Sequence, residues 1–199
     1  MGRVRVGVLG GTFDPVHVAH LVLADCAREE LSLDLVLFIP AGEPWRKSHR
    51  AITPAEHRLE MLRLAIEDND AFGISDIELR REGPTYTADT LEALAGERLD
   101  DAFWFIVGAD ALADLPNWRD PERIVRHARL AATHRDVQDA QAAARQVPQF
   151  ADRIDFFEAP RLQISSTDIR DRIAANRTVR YLVPAPVLTY INTHDLYRS

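Results

Sequence analysis

Strand-length apolar runs alternate with helical patterns along most of this chain, and that alternation restricts the fold more than any other feature. The runs are rich in Val, Ile, Leu and Phe, and they span Arg3–Leu9, Asp34–Pro40, Phe72–Leu79, Ala102–Gly108, Arg129–His134 and Arg153–Ala159. Strands that are apolar on both faces and separated by helices are typical of a parallel sheet covered on both sides. The sequence therefore predicts an α/β fold with right-handed crossovers.

Helical patterns fill the segments between these runs. They span His20–Leu31, Pro54–Asp68, Thr87–Arg98, Pro121–Arg126, Asp136–Gln146, Ser166–Asn176 and Pro186–Asn192. In the second of them, Thr53, Pro54 and Glu56 have the order of an N-cap, a first-turn proline and a capping-box glutamate. Towards the end of the chain, helices follow without a strand of equal strength. We therefore predict a sheet core in residues 1–160 and a small C-terminal helical subdomain in residues 161–199, within one compact unit.

Composition excludes several classes of protein. The chain has 199 residues, of which 46% are hydrophobic, and this suits one domain with a full core. Its net charge of −7 argues against a general nucleic-acid binder, since such proteins are usually basic. No apolar run approaches the ~20 residues of a membrane span, and the apolar part of the N-terminal stretch is too short for a signal peptide. Cys26 is the only cysteine, so no internal disulfide or cysteine-based zinc cluster can form, and a cytoplasmic location is expected.

The stretch GGTFDPVHVAH, from Gly10 to His20, joins the first strand to the first helix. In an open parallel sheet ligands bind beyond the carboxyl ends of the strands, and Gly10 and Gly11 would let one approach the backbone there. His17 and His20 lie three residues apart at the helix start, where unpaired N–H groups and the helix dipole attract anions. The pattern matches neither a dinucleotide-binding fingerprint nor a Walker motif. It predicts a phosphate site; the alternatives are structural cap histidines, or a zinc site for which no third ligand is evident.

The stretch ISSTDIR, which ends at Arg170, has a similar character. Ser165 and Asp168 have capping-box spacing, so an ordinary helix start is one interpretation. The other is a second anion site, because Ser165, Ser166 and Thr167 place hydroxyl groups at the helix start and Arg170 lies one turn further along.

Lys47 lies in the long polar segment between the second strand and the second helix, and it is the only lysine of the chain. Long loops of this kind often carry function. A flexible ammonium group there can reach a triphosphate as a point charge, although a solvated loop lysine is the plainer interpretation. The histidines outside the first motif follow no pattern.

Together the two stretches resemble the GxFDPxHxGH and ISSTxxR signatures of the HxGH nucleotidylyltransferases. Ala19 departs from the glycine that this superfamily most often has, and we expect the small alanine to tighten the site slightly without abolishing it. Three further segments, PAGEPWRK (Pro40–Lys47), GPTYTADTL (Gly83–Leu91) and GADALADLPNW (Gly108–Trp118), resemble those of the bacterial nicotinate-mononucleotide adenylyltransferases. The resemblance covers nearly the whole chain, in order.

The resemblance implies a Rossmann-like, doubly wound sheet and an enzyme. Members of that family join nicotinate mononucleotide to the AMP part of ATP, giving deamido-NAD and pyrophosphate in NAD biosynthesis. The catalytic residues that it implies are His17, His20, Lys47 and Arg170. The implied ATP-binding residues are Gly10, Gly11, Thr12, Phe13, Gly108, Asp110, Ile164, Ser165, Ser166 and Thr167. The implied mononucleotide-binding residues are Asp14, Thr85, Tyr86 and Trp118.

Some of these residues also have purely structural interpretations. Thr85 and Asp110 each stand near a helix start, so a helix cap is the alternative to binding a carboxylate or a ribose. Trp118 could stack on a pyridine ring or pack in the core.

Mg²⁺ is the expected cofactor, held mainly by phosphate oxygens and water, because the sequence offers no cluster of carboxylates as a metal site. The expected partners are ATP and nicotinate mononucleotide, with no nucleic acid and no membrane, and a homo-oligomer is compatible with the sequence. Two other functions stay open. One is a different adenylyltransferase of the superfamily, acting on nicotinamide mononucleotide or phosphopantetheine. The other is a nucleotide sensor without catalysis, which would need a damaged phosphate site.

Overall fold

A computed structural model describes residues 3–44, 52–134 and 137–198. Within these ranges the strands are β1 (Arg5–Gly11), β2 (Leu35–Pro40), β3 (Glu43–Pro44), β4 (Phe72–Ile74), β5 (Pro84–Thr85), β6 (Ala102–Val107), β7 (Ala128–His134) and β8 (Ile154–Glu158). Six of them form one sheet in the order β4-β2-β1-β6-β7-β8, and every neighbouring pair is parallel. The predicted α/β fold with a doubly wound parallel sheet is confirmed.

Helices cover both faces of this sheet. They are α1 (Val18–Glu30), α2 (Ala55–Ile66), α3 (Thr87–Glu97), α4 (Ala109–Asp114), α5 (Pro121–His127), α6 (Val137–Gln146), α7 (Ser166–Ala174) and α8 (Ala185–Thr193). Strand β2 shows how the two faces are filled: Val36 and Phe38 join the core under α1, α2, α7 and α8, whereas Leu37 and Ile39 join the core under α3, α4 and α5. Within the described ranges, no helix is long and apolar enough to cross a membrane.

The order of the strands places a crevice at the carboxyl end of β1. Strand β1 pairs with β2 on one side and with β6 on the other. The chain leaves β1 towards β2 and β4, and it then crosses back to β6, β7 and β8. Where the strand order reverses in this way, the segments after the two central strands diverge and leave room for a ligand. The segments that follow Gly11 and Val107 border this position.

The strand predicted over Phe72–Leu79 is too long. Only Phe72–Ile74 is a strand, and it pairs with Val36–Phe38 at the edge of the sheet. The chain then turns: the N–H group of Arg80 donates to the carbonyl of Asp76 at 3.1 Å, and the two side chains form an ion pair at 3.0 Å. Local hydrogen bonds replace the ladder there, and an alternating pattern alone does not reveal this.

The predicted start of the second helix is also wrong. Helix α2 begins at Ala55 with Pro54 as its N-cap, and no side chain caps it. The backbone of Thr53 is held elsewhere, because its N–H group donates to Asp14 Oδ2 at 3.4 Å and its carbonyl accepts from Arg58 Nε at 2.9 Å. The sequence prediction also missed α4, and it missed the short ladder that pairs β3 with β5.

The two C-terminal helices pack on the same core as α1 and α2. Ile169 and Ile173 of α7, with Val187 and Ile191 of α8, are buried there. The C-terminal segment is therefore part of the same packed unit, while the boundary at residue 160 stays a prediction.

Gly7→Ala tests the tight packing behind β1. A Cβ on Gly7 would lie 2.9 Å from Leu33 Cδ1 and 3.0 Å from Ile106 Cδ1, so the substitution is expected to lower the free energy of unfolding by about 1–3 kcal/mol. Gly96→Ala in α3 is the matched control. Nothing lies within 4 Å of its Cβ position, so that variant is expected to gain about 0.5–1 kcal/mol. Urea unfolding measures both changes, and equal effects would contradict this packing.

Candidate active site

The turn after β1 is shaped by the close packing of its own residues. Phe13 has a φ of 47°, a left-handed conformation that is rare for a bulky residue. Its ring is 1% exposed, and a Cβ on Gly11 would lie 3.0 Å from that ring. A side chain on Gly11 would crowd this ring, and any contact of Phe13 with a ligand would use its backbone. A cis peptide bond joins Asp14 to Pro15. Thr12 is half-buried and Gly10 is exposed.

The two histidines of the first motif stack at the start of α1. His17 is the N-cap, and its ring lies 3.6 Å from that of His20 with an angle of 17° between the planes. The backbone N–H group of His17 donates to His20 Nδ1 at 3.2 Å, so the acceptor role of this atom places the ring proton of His20 on Nε2. The Val18 amide donates to the Leu182 carbonyl, and the His20 amide donates to the His17 carbonyl. These two amides are engaged, and this end of α1 still offers an anion the imidazoles and the helix dipole.

Burial keeps His17 neutral. The residue is 5% exposed, and loss of solvation lowers the pKa of its imidazole from 6.5 to about 4. Its Nδ1 atom is buried and has no hydrogen-bond partner among the described residues. His17 therefore offers a neutral ring near pH 7, and it is not a fixed positive charge.

A cleft of about 670 Å³ opens beside the histidines. The predicted residues that line it are His17, His20, Gly108 and Asp110. Lining residues without a predicted role include Thr133, His134, Arg161 and Leu162. Thr133 and His134 end β7, so the rule that ligands bind at the carboxyl ends of strands would have been the signal for them. Gly108 is the N-cap of α4, and Asp110 is exposed in its first turn.

The second motif begins α7 and touches the first. Ser165 is the N-cap, and its hydroxyl accepts from the Asp168 amide at 3.0 Å, as the capping-box spacing predicts. The Ser166 hydroxyl donates to the Pro15 carbonyl at 2.9 Å. Arg170 donates from Nη2 to the Thr167 hydroxyl at 3.0 Å. Ile164, just before the helix, packs partly against the core.

Arg170 and Asp14 form the direct link between the two motifs. Arg170 Nη1 donates to the backbone carbonyl of Asp14 and lies 3.7 Å from its Oδ2 atom. Asp14 is 5% exposed, and its Oδ1 atom accepts from the Tyr197 hydroxyl at 2.8 Å. The carboxylate was predicted to bind the mononucleotide. The structure places it inside the protein with both oxygens engaged, and its contact with a ligand stays a prediction.

Two of the predicted mononucleotide residues, Thr85 and Tyr86, lie at the β3–β5 ladder. Thr85 lies in β5 and is 5% exposed, and Tyr86 is the N-cap of α3, so Thr85 itself is not a cap. The guanidinium of Arg119 lies 4.3 Å from the centre of the Tyr86 ring. Sequence reasoning placed no basic side chain in this region, although Arg119 directly follows Trp118, which it did place there.

Trp118, the neighbour of Arg119, is half-buried. Its Nε1 atom donates to Asp114 Oδ2 at 3.3 Å, and its ring meets Phe105 edge-on with 6.0 Å between centroids. Part of the indole therefore packs against the core, and part remains exposed.

Lys47 lies in residues 45–51, outside the described ranges, so its role stays a prediction. Within the described residues, no group of three or more His, Cys, Asp or Glu side chains could hold a metal ion. The cleft is lined by the imidazoles of His17, His20 and His134 and the guanidinium of Arg161, which suit an anion, and also by the carboxylate of Asp110.

Comparison with known families extends this picture over the whole chain. Residues 8–172 match the cytidylyltransferase-like family. A probable nicotinate-nucleotide adenylyltransferase of Roseiflexus sp. strain RS-1 is 47% identical over 200 residues, which cover 100% of both chains. The corresponding protein of Thermomicrobium roseum is 46% identical over 98% of this chain and 92% of its own length.

Solved structures share the fold. Nicotinic acid mononucleotide adenylyltransferase of Plasmodium falciparum matches over 98% of both chains, with TM-scores of 0.81 for its complex with NaAD and 0.78 for its complex with APC. Both are 18% identical in sequence, so they show the fold alone. The long matches at much higher identity show the family: the chain belongs to the nicotinate-nucleotide adenylyltransferases, within the cytidylyltransferase-like family.

Proposed function

We propose that this chain transfers AMP from ATP to nicotinate mononucleotide. An oxygen of the mononucleotide phosphate forms a bond to the α-phosphorus, the bond from that phosphorus to the bridging oxygen breaks, and pyrophosphate leaves. The observation that carries the proposal is the contact of Arg170 with the Asp14 turn, which brings α7 beside the stacked histidines. The names of the curated relatives support the same reaction.

The attacking oxygen is already anionic, so the reaction needs no general base and no covalent intermediate. Catalysis then rests on positioning the two phosphates and on stabilising the charge that develops between them. His20 can donate from Nε2, and the neutral His17 contributes a hydrogen bond and no charge. Arg170 supplies a permanent positive charge, and Lys47 is proposed to add a second one.

Mg²⁺ fits this site only together with the triphosphate. The described residues contain no cluster of three or more His, Cys, Asp or Glu side chains that could hold the ion. We propose that phosphate oxygens and water bind it, and that it neutralises charge on the triphosphate. Arg170 and the histidines would then bind the remaining phosphate oxygens.

The proposed preference for nicotinate rests on the groups around Thr85. A carboxylate accepts hydrogen bonds only, and the Thr85 hydroxyl and the amides at the start of α3 can donate them. Arg119, held over the Tyr86 ring, adds positive charge to the same region. Trp118 is proposed to stack on the pyridine ring with the part of its indole that the core leaves exposed.

The alternative function is a nucleotide sensor without catalysis. It would need a damaged phosphate site, and the presence of His17, His20 and Arg170 argues against it. A cytoplasmic location, which the single cysteine favours, and a homo-oligomer stay predictions.

Product formation from ATP and Mg²⁺ with a panel of acceptors tests this function. Nicotinate mononucleotide should exceed nicotinamide mononucleotide in kcat/KM by roughly 10-fold or more, because mismatched buried polar groups cost about 1–3 kcal/mol. Phosphopantetheine should give no product. Thr85→Val should reduce the preference, and Thr189→Val, an exposed threonine on α8, is its control. Equal use of the two mononucleotides would contradict the proposed specificity, and no pyrophosphate with any acceptor would support the sensor.

The neutral state of His17 has a consequence for stability. The unfolded imidazole takes up a proton near its ordinary pKa of 6.5, whereas the folded one does so only at about 4. The free energy of unfolding therefore has its full contribution from this group above pH 6.5. As the pH falls from 6.5 towards 4, the free energy of unfolding decreases by about 3 kcal/mol in total. Urea unfolding of the wild type, His17→Asn and the exposed control His194→Asn across this range measures it. Parallel curves for the wild type and His17→Asn would contradict a buried, neutral His17.

A further inference from the structure

The buried carboxylate of Asp14 joins three segments that the proposed reaction uses. It is part of the turn between β1 and α1. Its Oδ2 atom lies 3.4 Å from the amide of Thr53, which ends the segment that carries Lys47, and 3.7 Å from Nη1 of Arg170. Arg58, which is 3% exposed, also links the turn after β1 to Thr53. Its Nη1 atom donates to the Thr12 carbonyl, and its Nε atom donates to the Thr53 carbonyl.

A carboxylate this deeply buried is stable only when hydrogen bonds and opposite charge replace the water that it has lost. The two carboxylate oxygens of Asp14 have different partners. Oδ2 faces Thr53 and Arg170, whereas Oδ1 accepts a hydrogen bond of 2.8 Å from the Tyr197 hydroxyl. Tyr197 is therefore the hydrogen-bond donor to Oδ1, on the oxygen that does not face Arg170.

The C-terminal tail is folded in a way that places this hydroxyl. After α8 the amide of Leu196 donates to the carbonyl of Ile191 at 3.0 Å, which turns the chain back. Tyr197 has a φ of 65°, an unfavourable value for a bulky residue that persists only where the surrounding structure enforces it. Its hydroxyl also lies 3.9 Å from Met61 Sδ of α2. Burial raises the pKa of the phenol well above its ordinary value, so it remains a donor at every working pH.

We propose that Tyr197 is a positioning residue for the transfer reaction, an inference that rests on the proposed function. Its hydroxyl fixes the Asp14 carboxylate, and that carboxylate fixes Arg170 and the Thr53 end of the segment that carries Lys47. Without the hydroxyl, Oδ1 is free to pair with Arg170. The guanidinium would then turn from the Asp14 carbonyl towards a bidentate pair with the carboxylate, and less of its charge would reach the phosphates.

A double-mutant cycle tests this inference. Tyr197→Phe should lower kcat by roughly 10-fold, in line with the cost of misplacing one charged group, while KM for the mononucleotide stays within about threefold. In an Arg170→Lys background the same change should cost less than about twofold, because coupled residues are not additive. Tyr190→Phe is the control. It removes another hydroxyl near the C-terminus, one that pairs with His57 of α2 at 2.9 Å.

Each outcome has a definite meaning. An unchanged kcat in folded Tyr197→Phe would overturn the inference, and so would an equal loss in both backgrounds, since a purely structural role gives additive effects. If Tyr197→Phe does not fold, Asp14→Asn takes its place in the cycle, because it removes the charge through which Tyr197 acts on Arg170, and it is judged by the same additivity. No product from the wild type and from Tyr190→Phe would instead contradict the proposed function itself.

Discussion

The interaction on which the rest of the site depends is the pairing of a buried carboxylate with groups from distant parts of the chain. Asp14 loses nearly all of its water in the turn after β1, and it recovers stabilisation from Arg170 and Tyr197. Removing one partner of a buried charge leaves the other uncompensated, which is costly. The turn, the start of α7 and the tail after α8 are therefore held in one arrangement, and the stacked histidines stand directly beside it.

The proposed anion site relies on local positive charge, because the protein as a whole is negatively charged. The chain carries a net charge of −7, so long-range attraction does not bring ATP to it. The groups that favour an anion lie close to the crevice: a guanidinium, the dipole of α1 and the imidazoles of His17 and His20. Because burial lowers the pKa of His17 to about 4, its ring is neutral near pH 7, and the positive charge of the proposed site comes from arginine.

Local signals in the sequence were sufficient for much of the fold and part of the site. The apolar runs predict the parallel sheet, and the spacing of Ser165 and Asp168 predicts the cap of α7 that the structure confirms. Contacts across the fold left no such signal. Asp14 and Tyr197 are separated by 183 positions, and Arg119 reaches the Tyr86 ring from another loop. Thr53 was read as a helix cap because its residue type fits, whereas its backbone is held by Asp14 and Arg58.

The central claim is that the histidines at the start of α1 act on the phosphates during the transfer. The measurement that tests it most directly is the single-turnover rate of pyrophosphate release at saturating ATP and mononucleotide, compared between the wild type, His20→Ala and the exposed control His194→Ala. The account predicts a rate for His20→Ala lower by roughly 10²–10³-fold, the cost of one preorganised donor, and a nearly normal rate for the control. A rate for His20→Ala within a few-fold of the wild type would contradict it.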